Sequence, residues 1–368
     1  MEEPARKVEP QQRLLDWRSG GWVLALMALL LALVVLRFIW PGLSREAPPA
    51  ATADPDAADN GFDLSGSLVP RELIVVGAER GTIRALTDPN TIAGAEVVEY
   101  NAERRGKFLV SGDRVIGVTI GAESRAYPLR ILNWHEIAND TLGGTEIAVT
   151  YCPLSDSAAV FRRDVTGDVP AFEVSGLLLN SNLLMYDVRD GGGESLWSQL
   201  QLRAVAGAAA GTELQLVAAE LSHWGDWLAR HPETTVITGR DEYKSRYKRN
   251  PYGHYFETGR PRFPVSPAVP ADGLPAMARV LAVQDGEGWH VLAYHDPLVD
   301  AGDQPRRWQD DALGLGLSWQ PHAAGMEPPT LRAMHGIEPV GAVYAFWFAW
   351  SAMHPDAPPP QQVPQPTP

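Results

Sequence analysis

Between residues 73 and 283 the chain is cut into short apolar runs. Gly, Pro and Asp punctuate these runs. Residues 73–77, 115–120, 146–151, 159–161, 172–175, 214–217, 235–238 and 280–283 all read as strands. Only two segments carry helical spacing. Residues 128–139 place Leu129, Leu132 and Ile137 near one face, with Pro128 tolerated in the first turn. Residues 222–231 open on Ser222 as a cap, carry Trp224, Trp227 and Leu228, and stop at Pro232. Residues 114–127 and 279–294 each read as a hairpin ending in Ala-Tyr, by duplication or by convergent patterning. The apolar stretch 340–353 is too short to span a bilayer comfortably and reads as a buried closing helix or strand, with contact at a bilayer surface as the alternative. The expected fold class is therefore α+β and β-rich: a single compact domain over about 62–354, with many short strands and few helices. With 45% hydrophobic residues and 12 Trp, the chain has ample material for a core.

Residues 21–40 differ from everything after them. They form an apolar run of the length that crosses a bilayer core as a helix. Trp22 and Trp40 stand at its edges, and Arg37 is near enough to one end to snorkel. Arg6, Lys7, Arg13 and Arg18 precede it, so the N-terminal tail, residues 1–20, is expected to stay inside. The expectation is a single-pass signal-anchor in the cytoplasmic (inner) membrane with a periplasmic or extracytoplasmic domain. A cleaved signal peptide is the rival, disfavoured by the length of the run and by the lack of an Ala-x-Ala site just after it. Residues 41–61 read as a flexible linker and 355–368 as a Pro-rich tail without packing.

The net charge of -14, from 45 carboxylates against 31 Lys and Arg, argues against a nucleic-acid partner. The basic run 244–249 reads as a solvated loop. A single cysteine, Cys152, excludes an internal disulfide framework and a Cys-rich zinc site. There is no Gly-rich phosphate loop, no Gly-x-Ser-x-Gly elbow and no Cys-x-x-Cys-His haem site.

Polar words crowd between residues 127 and 199: Asn133-Trp134-His135-Glu136, Thr150-Tyr151-Cys152-Pro153-Leu154-Ser155-Asp156-Ser157, Asn180-Ser181-Asn182, Met185-Tyr186-Asp187 and Leu196-Trp197-Ser198-Gln199. Buried polar groups must be hydrogen-bonded, so this density signals a built site or a demanding polar network. Together with Ala126-Tyr127-Pro128-Leu129, Ser175-Gly176-Leu177, Trp224, Trp227, His231-Pro232 and Asn250-Pro251-Tyr252, these words resemble the bacterial domain-of-unknown-function family 3179 over about residues 73–353. The resemblance brings no assigned activity, so no catalytic role is carried over. Many members of that family look like Cys-Pro-Leu-Cys where this chain has Cys152-Pro153-Leu154-Ser155, which removes an intramolecular dithiol here.

The residues leave three functions open. Cys152 and His135, with Met185 as a thioether, are soft ligands that suit a copper-type metal ion or redox work. Alternatively Cys152 is the nucleophile of a thiol-dependent hydrolase or transferase, with His135 as base and Asp156 or Asn139 as orienter. In the third reading the domain is a non-catalytic envelope binding module. Asn180, Asn182 and Asp187 are candidates to line a pocket, or else they satisfy turns and strand ends. His135-Glu136 lacks the second His of a zinc-protease helix, because Asn139 stands there. For each group the plain alternative is a packed core residue. His322, Met326, Met334, His335, Met353 and His354 fit no ligand motif.

Overall fold

The computed structural model describes residues 26–30, 59–103, 108–165, 167–269, 273–285, 288–294, 306–310, 315–320, 330–335 and 338–362. Residues 26–30 are helical and exposed. The rest of the expected span 21–40 lies outside the described residues, as does most of the expected linker. Among the described residues no helix is long and apolar enough to cross a membrane.

From Asp59 onward the architecture follows from strands that are apolar on both faces. Along the Thr145–Cys152 strand, Ile147, Val149 and Tyr151 enter one core cluster while Ala148 and Cys152 enter another. The next strand, Ser157–Arg162, divides in the same way, with Ala158 and Val160 on one side and Ala159 and Phe161 on the other. A strand covered on both faces reads as a continuous apolar run rather than an alternation. These strands belong to an eight-stranded middle sheet, ordered Leu86–Thr87, Ile137–Leu142, Thr145–Cys152, Ser157–Arg162, Ala342–Phe346, Arg279–Asp285, Gly288–Tyr294 and Gln361–Gln362. One face packs on a five-stranded sheet containing Phe172–Leu179, Asn182–Asp187 and Leu196–Ser198. The other packs on a nine-stranded sheet containing Arg114–Ile120, Glu123–Pro128 and Ala219–His223. The domain is β-rich, with short helices, and forms one compact unit.

Two adjacent residues tie the layers together in opposite directions. Asn139 reaches one outer sheet: its Nδ2 donates to the Phe172 carbonyl at 2.9 Å, and its Oδ1 accepts the Phe172 N–H at 2.8 Å. Asp140 reaches the other, accepting from Arg125 Nη1 and the Tyr127 hydroxyl at 2.7 Å each. The period of two along a strand requires neighbours to face opposite ways.

Several expectations change in detail. The helix expected over 128–139 is only Leu129–His135, and Ile137–Leu142 is a strand paired with Thr145–Cys152. Leu129, Leu132 and Ile137 are all buried, but ladder pairing, which spacing does not report, claims the last of them. The helix expected from Ser222 is Trp224–Arg230. Ser222 and His223 end the preceding strand, and no side-chain cap forms. Residues 214–217 are not a strand but an extended segment bridging to Phe161 through Leu216. Both expected hairpins form, Arg114–Ile120 with Glu123–Pro128 and Arg279–Asp285 with Gly288–Tyr294. The stretch 340–353 is a buried strand, Ala342–Phe346, running into the buried helix Trp347–Met353. Within the Pro-rich segment, Gln361–Gln362 adds a parallel strand beside Leu292 and Ala293.

Candidate functional site

The polar words fall into three separate constellations. The first lies between the middle sheet and the five-stranded sheet. Asn182 Nδ2 lies 2.9 Å from Ser155 Oγ, 2.9 Å from Ser157 Oγ and 2.8 Å from Gln199 Oε1. Ser157 donates to Gln199 Oε1 at 2.6 Å, and Gln199 Nε2 donates to Thr150 Oγ1 at 2.9 Å. All five side chains are fully buried, so the network fixes one register between the two layers. Asn180 and Ser181, at φ 49° and 63°, make the tight hairpin turn that precedes Asn182. Asn180 Oδ1 also accepts the Ser266 N–H at 2.9 Å. Asp187 accepts from Arg189 Nε at 2.7 Å and from the Ser195 N–H at 2.5 Å. Met185 sits in the same core cluster as Cys152.

The second constellation surrounds Asp156, at the turn after Cys152. Its carboxylate accepts from Arg114 Nη1 at 2.9 Å, Arg279 Nε at 2.8 Å and the Tyr151 hydroxyl at 2.8 Å. Burial on its own would raise its pKa. The two guanidinium charges and their hydrogen bonds outweigh burial and hold the group at about 2. Asp156 is thus committed to a buried ion cluster. The third constellation belongs to His135. Nδ1 is 2.7 Å from the Arg84 carbonyl, which only accepts, so Nδ1 carries the proton. Nε2 then accepts from the Tyr247 hydroxyl at 2.7 Å, and Tyr243 packs against the ring. Burial drives the His135 pKa down to about 4. The basic run read as a solvated loop therefore supplies Tyr247, a buried cover for His135. Both ring nitrogens are engaged, and no hydrogen bond joins His135 to Cys152. Among the described residues, no group of three or more His, Cys, Asp and Glu could hold a metal ion.

Instead, the neighbour of the thiol is Glu136. The Leu129–His135 helix ends on this residue, whose φ of 56° and ψ of -31° lie outside the regions ordinarily open to a residue with a Cβ. Such a conformation costs about 1–3 kcal/mol and persists only when its surroundings impose it. Here the Glu136 N–H donates to the Leu132 carbonyl and the Tyr151 N–H donates to the Glu136 carbonyl, each at 2.7 Å. The helix end and the ladder thereby clamp the residue at the end of the Thr145–Cys152 strand. Glu136 is 5% exposed, and its carboxyl forms no hydrogen bond to the protein. Burial alone pushes that group up to about 8, so it is mainly protonated at neutral pH. Cys152 is 1% exposed. Burial first and Glu136 second push its thiol up to about 12, although Ser155 and the backbone at Leu154 and Leu183 hydrogen-bond the sulfur.

A segment a hundred residues further on covers this pair. Tyr255 donates to the Leu154 carbonyl at 2.6 Å, which fixes the helical turn Gly253–Phe256 over the Cys152 turn. Tyr252, 6% exposed, shares the Cys152 core cluster and lies within electrostatic reach of Glu136, Cys152 and Arg262. Glu136 and Tyr252 stand among the same polar words as His135 and Cys152, but metal-ligand and nucleophile chemistry points to the latter two. The available signal was a carboxylate directly beside a histidine at a helix-to-strand junction, in a chain that provides no cation next to it in sequence.

A family described as Protein of unknown function (DUF3179) matches residues 91–302, more than half of the chain and all of this site. No curated protein and no solved structure matches the chain. The chain belongs to the DUF3179 family of proteins of unknown function.

Proposed function

We propose that this DUF3179 protein is a membrane-anchored extracytoplasmic domain that binds a small ligand at Glu136 and Cys152, with Glu136 acting as a neutral carboxylic acid that donates or takes a proton. One observation carries the reading: a carboxyl on a residue only 5% exposed, whose burial no protein cation offsets, held by a backbone conformation that a non-glycine residue avoids. Structural carboxylates in the same domain look different, since Asp140 and Asp156 are each met by Arg and Tyr. A carboxylic acid kept neutral near pH 7 can donate a hydrogen bond that a carboxylate cannot. The anchor reading is supported by the apolar run 21–40 and the basic residues before it.

The thiol-dependent reading keeps one observation in its favour. The Cys152 sulfur is hydrogen-bonded by Ser155 and by the backbone at Leu154 and Leu183, contacts that favour a thiolate. In that reading Glu136, rather than His135, is the base beside the sulfur. A metal or redox centre at Cys152 with Met185 would have to recruit ligands beyond His135, whose nitrogens are occupied.

Infrared difference spectra across a pH titration, wild type against Glu136→Gln, test the proposal. The expected result is a protonated carboxyl band persisting above pH 7, fading near pH 8 and absent from the variant. A Glu136 that ionises below pH 5 overturns it. Iodoacetamide separates the two readings: slow alkylation of Cys152 at pH 7 fits a neutral thiol, whereas fast alkylation favours the nucleophile.

A further inference from the structure

The edges of the three sheets are protected in different ways. Among the described residues, the edge strands Ile74–Val76, Leu86–Thr87 and Thr91–Ala93 are very short. The outer side of Arg203–Ala206 is met by a loop: the Gly211 N–H donates to the Ala204 carbonyl and the Ala204 N–H to the Thr212 carbonyl, each at 2.9 Å. The edge strand Arg306–Asp310 reads Arg-Arg-Trp-Gln-Asp, and charged residues discourage pairing with another chain. Gly288–Tyr294, the last long strand of the middle sheet, has none of these protections. It pairs with Arg279–Asp285 along its whole length, and its sequence, Gly-Trp-His-Val-Leu-Ala-Tyr, has no Lys, Arg, Asp, Glu or Pro. A long, uncharged, β-forming edge is a template for association.

What covers that edge is the chain's own Pro-rich segment. Gln361 and Gln362 lie parallel to Leu292 and Ala293 and add the outermost strand of the middle sheet. His354 fixes the path that leads there. It follows the Trp347–Met353 helix, its ring stacks on Trp350 at 4.0 Å, and it meets Trp289 of the Gly288–Tyr294 strand at 5.4 Å. Its Nε2 donates to the Leu200 carbonyl at 2.8 Å, and the Ala357 N–H turns back onto the His354 carbonyl at 3.0 Å. The covering pair is framed by proline in sequence, with Pro358, Pro359 and Pro360 before it and Pro364, Pro366 and Pro368 after it. Proline has no N–H to donate, so a strand framed by it offers little to a further strand on its open side. The segment both extends the sheet and ends it.

We propose that residues 354–362 are a self-cap: they occupy the outer edge of Gly288–Tyr294 and so prevent that edge from pairing with the same strand of a second copy of this chain. The kind of partner follows from the edge. Two copies of one strand, laid antiparallel about a two-fold axis, give each exposed N–H and C=O a counterpart, and the interface closes on itself. The cap competes with this pairing because it is tethered. The connection from Met353 to Gln361 is short, which holds the covering pair beside its edge at an effective concentration on the order of millimolar. A ladder of two residues is weak by itself, so the cap can leave the edge without unfolding the domain. The inference is independent of Glu136.

The full-length protein in detergent, compared by light scattering with a chain ended at Ala357, tests the cap. At equal concentration the shortened chain should have about twice the protein mass of wild type. Gln361→Pro combined with Gln362→Pro, which keeps the length of the segment but removes both N–H donors, should have the same effect. If the shortened chain fails to fold, this full-length variant decides. A synthetic peptide of residues 355–368, added at about millimolar concentration, should return the shortened chain to the wild-type mass. The same peptide carrying both substitutions should not. Wild-type mass for the cooperatively folded variants overturns the cap. So does a doubled mass that the peptide leaves unchanged, because the contact between copies then lies away from this edge.

Discussion

Glu136 and Asp156 sit 20 residues apart at one end of the middle sheet, yet their surroundings drive them in opposite directions. Both carboxyls are removed from water, so burial disfavours both charges. Asp156 recovers its ionised form from two guanidinium groups, while Glu136 has no counterpart. The consequences for stability have opposite signs. Because the folded pKa of Glu136 is raised from 4.5 to about 8, its favourable contribution is intact below 4.5 and is lost as pH rises through 8. Wild type should therefore weaken across that window by up to several kcal/mol, on the order of 1.4 kcal/mol for each pH unit. Glu136→Gln should flatten the profile and be the more stable protein at pH 8.5. Denaturant midpoints measured between pH 4.5 and 8.5 check this, and parallel profiles for the two proteins would contradict it. Asp156 behaves conversely, since its pKa falls from 3.8 to about 2. Its contribution is present above 3.8 and disappears as pH drops through 2. Asp156→Asn at pH 7 should cost about 3–5 kcal/mol, because Arg114 and Arg279 then face each other across a neutral group. A loss below 1 kcal/mol at pH 7 would show that the cluster contributes little.

At the level of elements, Gly117 shows how tightly the nine-stranded sheet is fitted to its helix. It lies mid-strand in Arg114–Ile120, and a Cβ there would meet the Trp227 ring at 2.2 Å. Trp227 cannot swing aside, since it is 1% exposed and its Nε1 donates to Thr234 Oγ1 at 2.8 Å. Gly117→Ala should cost about 1–3 kcal/mol by overpacking, read from the denaturation midpoint. An unchanged midpoint would mean that the ring can move. The residue sequence near Gly117 announces a strand clearly, but the indole that requires glycine comes from residue 227. The same division runs through the whole chain. Runs such as 159–161 and 280–283 are legible because a strand buried on both faces is apolar throughout. Ile137 carries helical spacing yet belongs to a strand, because its pairing with Thr150 is a non-local fact. The words around Asn182 and Gln199 announced polar density, but their shared acceptors come from three different segments. Glu136 gives no local sign of its surroundings, because the turn that covers this strand end, Gly253–Phe256, comes from more than a hundred residues away. Local pattern carries local structure, and a site built from strand ends becomes visible only once the sheets are stacked.

For the whole molecule, the middle sheet gathers strands from nearly the full length of the domain, from Leu86–Thr87 to Gln361–Gln362. Its late strand Ala342–Phe346 is central, lying between Ser157–Arg162 and Arg279–Asp285. The helix that follows buries Phe348, Ala349 and Trp350 completely. A chain ended at Val340 should consequently fail to fold as a unit. One begun at Asp59 should fold cooperatively, because Asn60 still reaches the Ala78 and Ser175 carbonyls and Phe62 still enters the core. Residues 1–58 are then available for the anchoring proposed above, which rests on an apolar run preceded by four basic residues. If the run anchors the chain with its N-terminus inside, the acidic domain lies beyond the cytoplasmic membrane. A reporter that works only in the cytoplasm, fused after Pro368, should be silent there. The same fusion lacking residues 1–40 should be active, which shows that the reporter itself folds. The full-length protein should stay with the membrane pellet through alkaline carbonate washing, while the chain begun at Asp59 should be released. Strong reporter signal from the full-length fusion would place the domain inside, and the Glu136 site would then face cytoplasmic ligands.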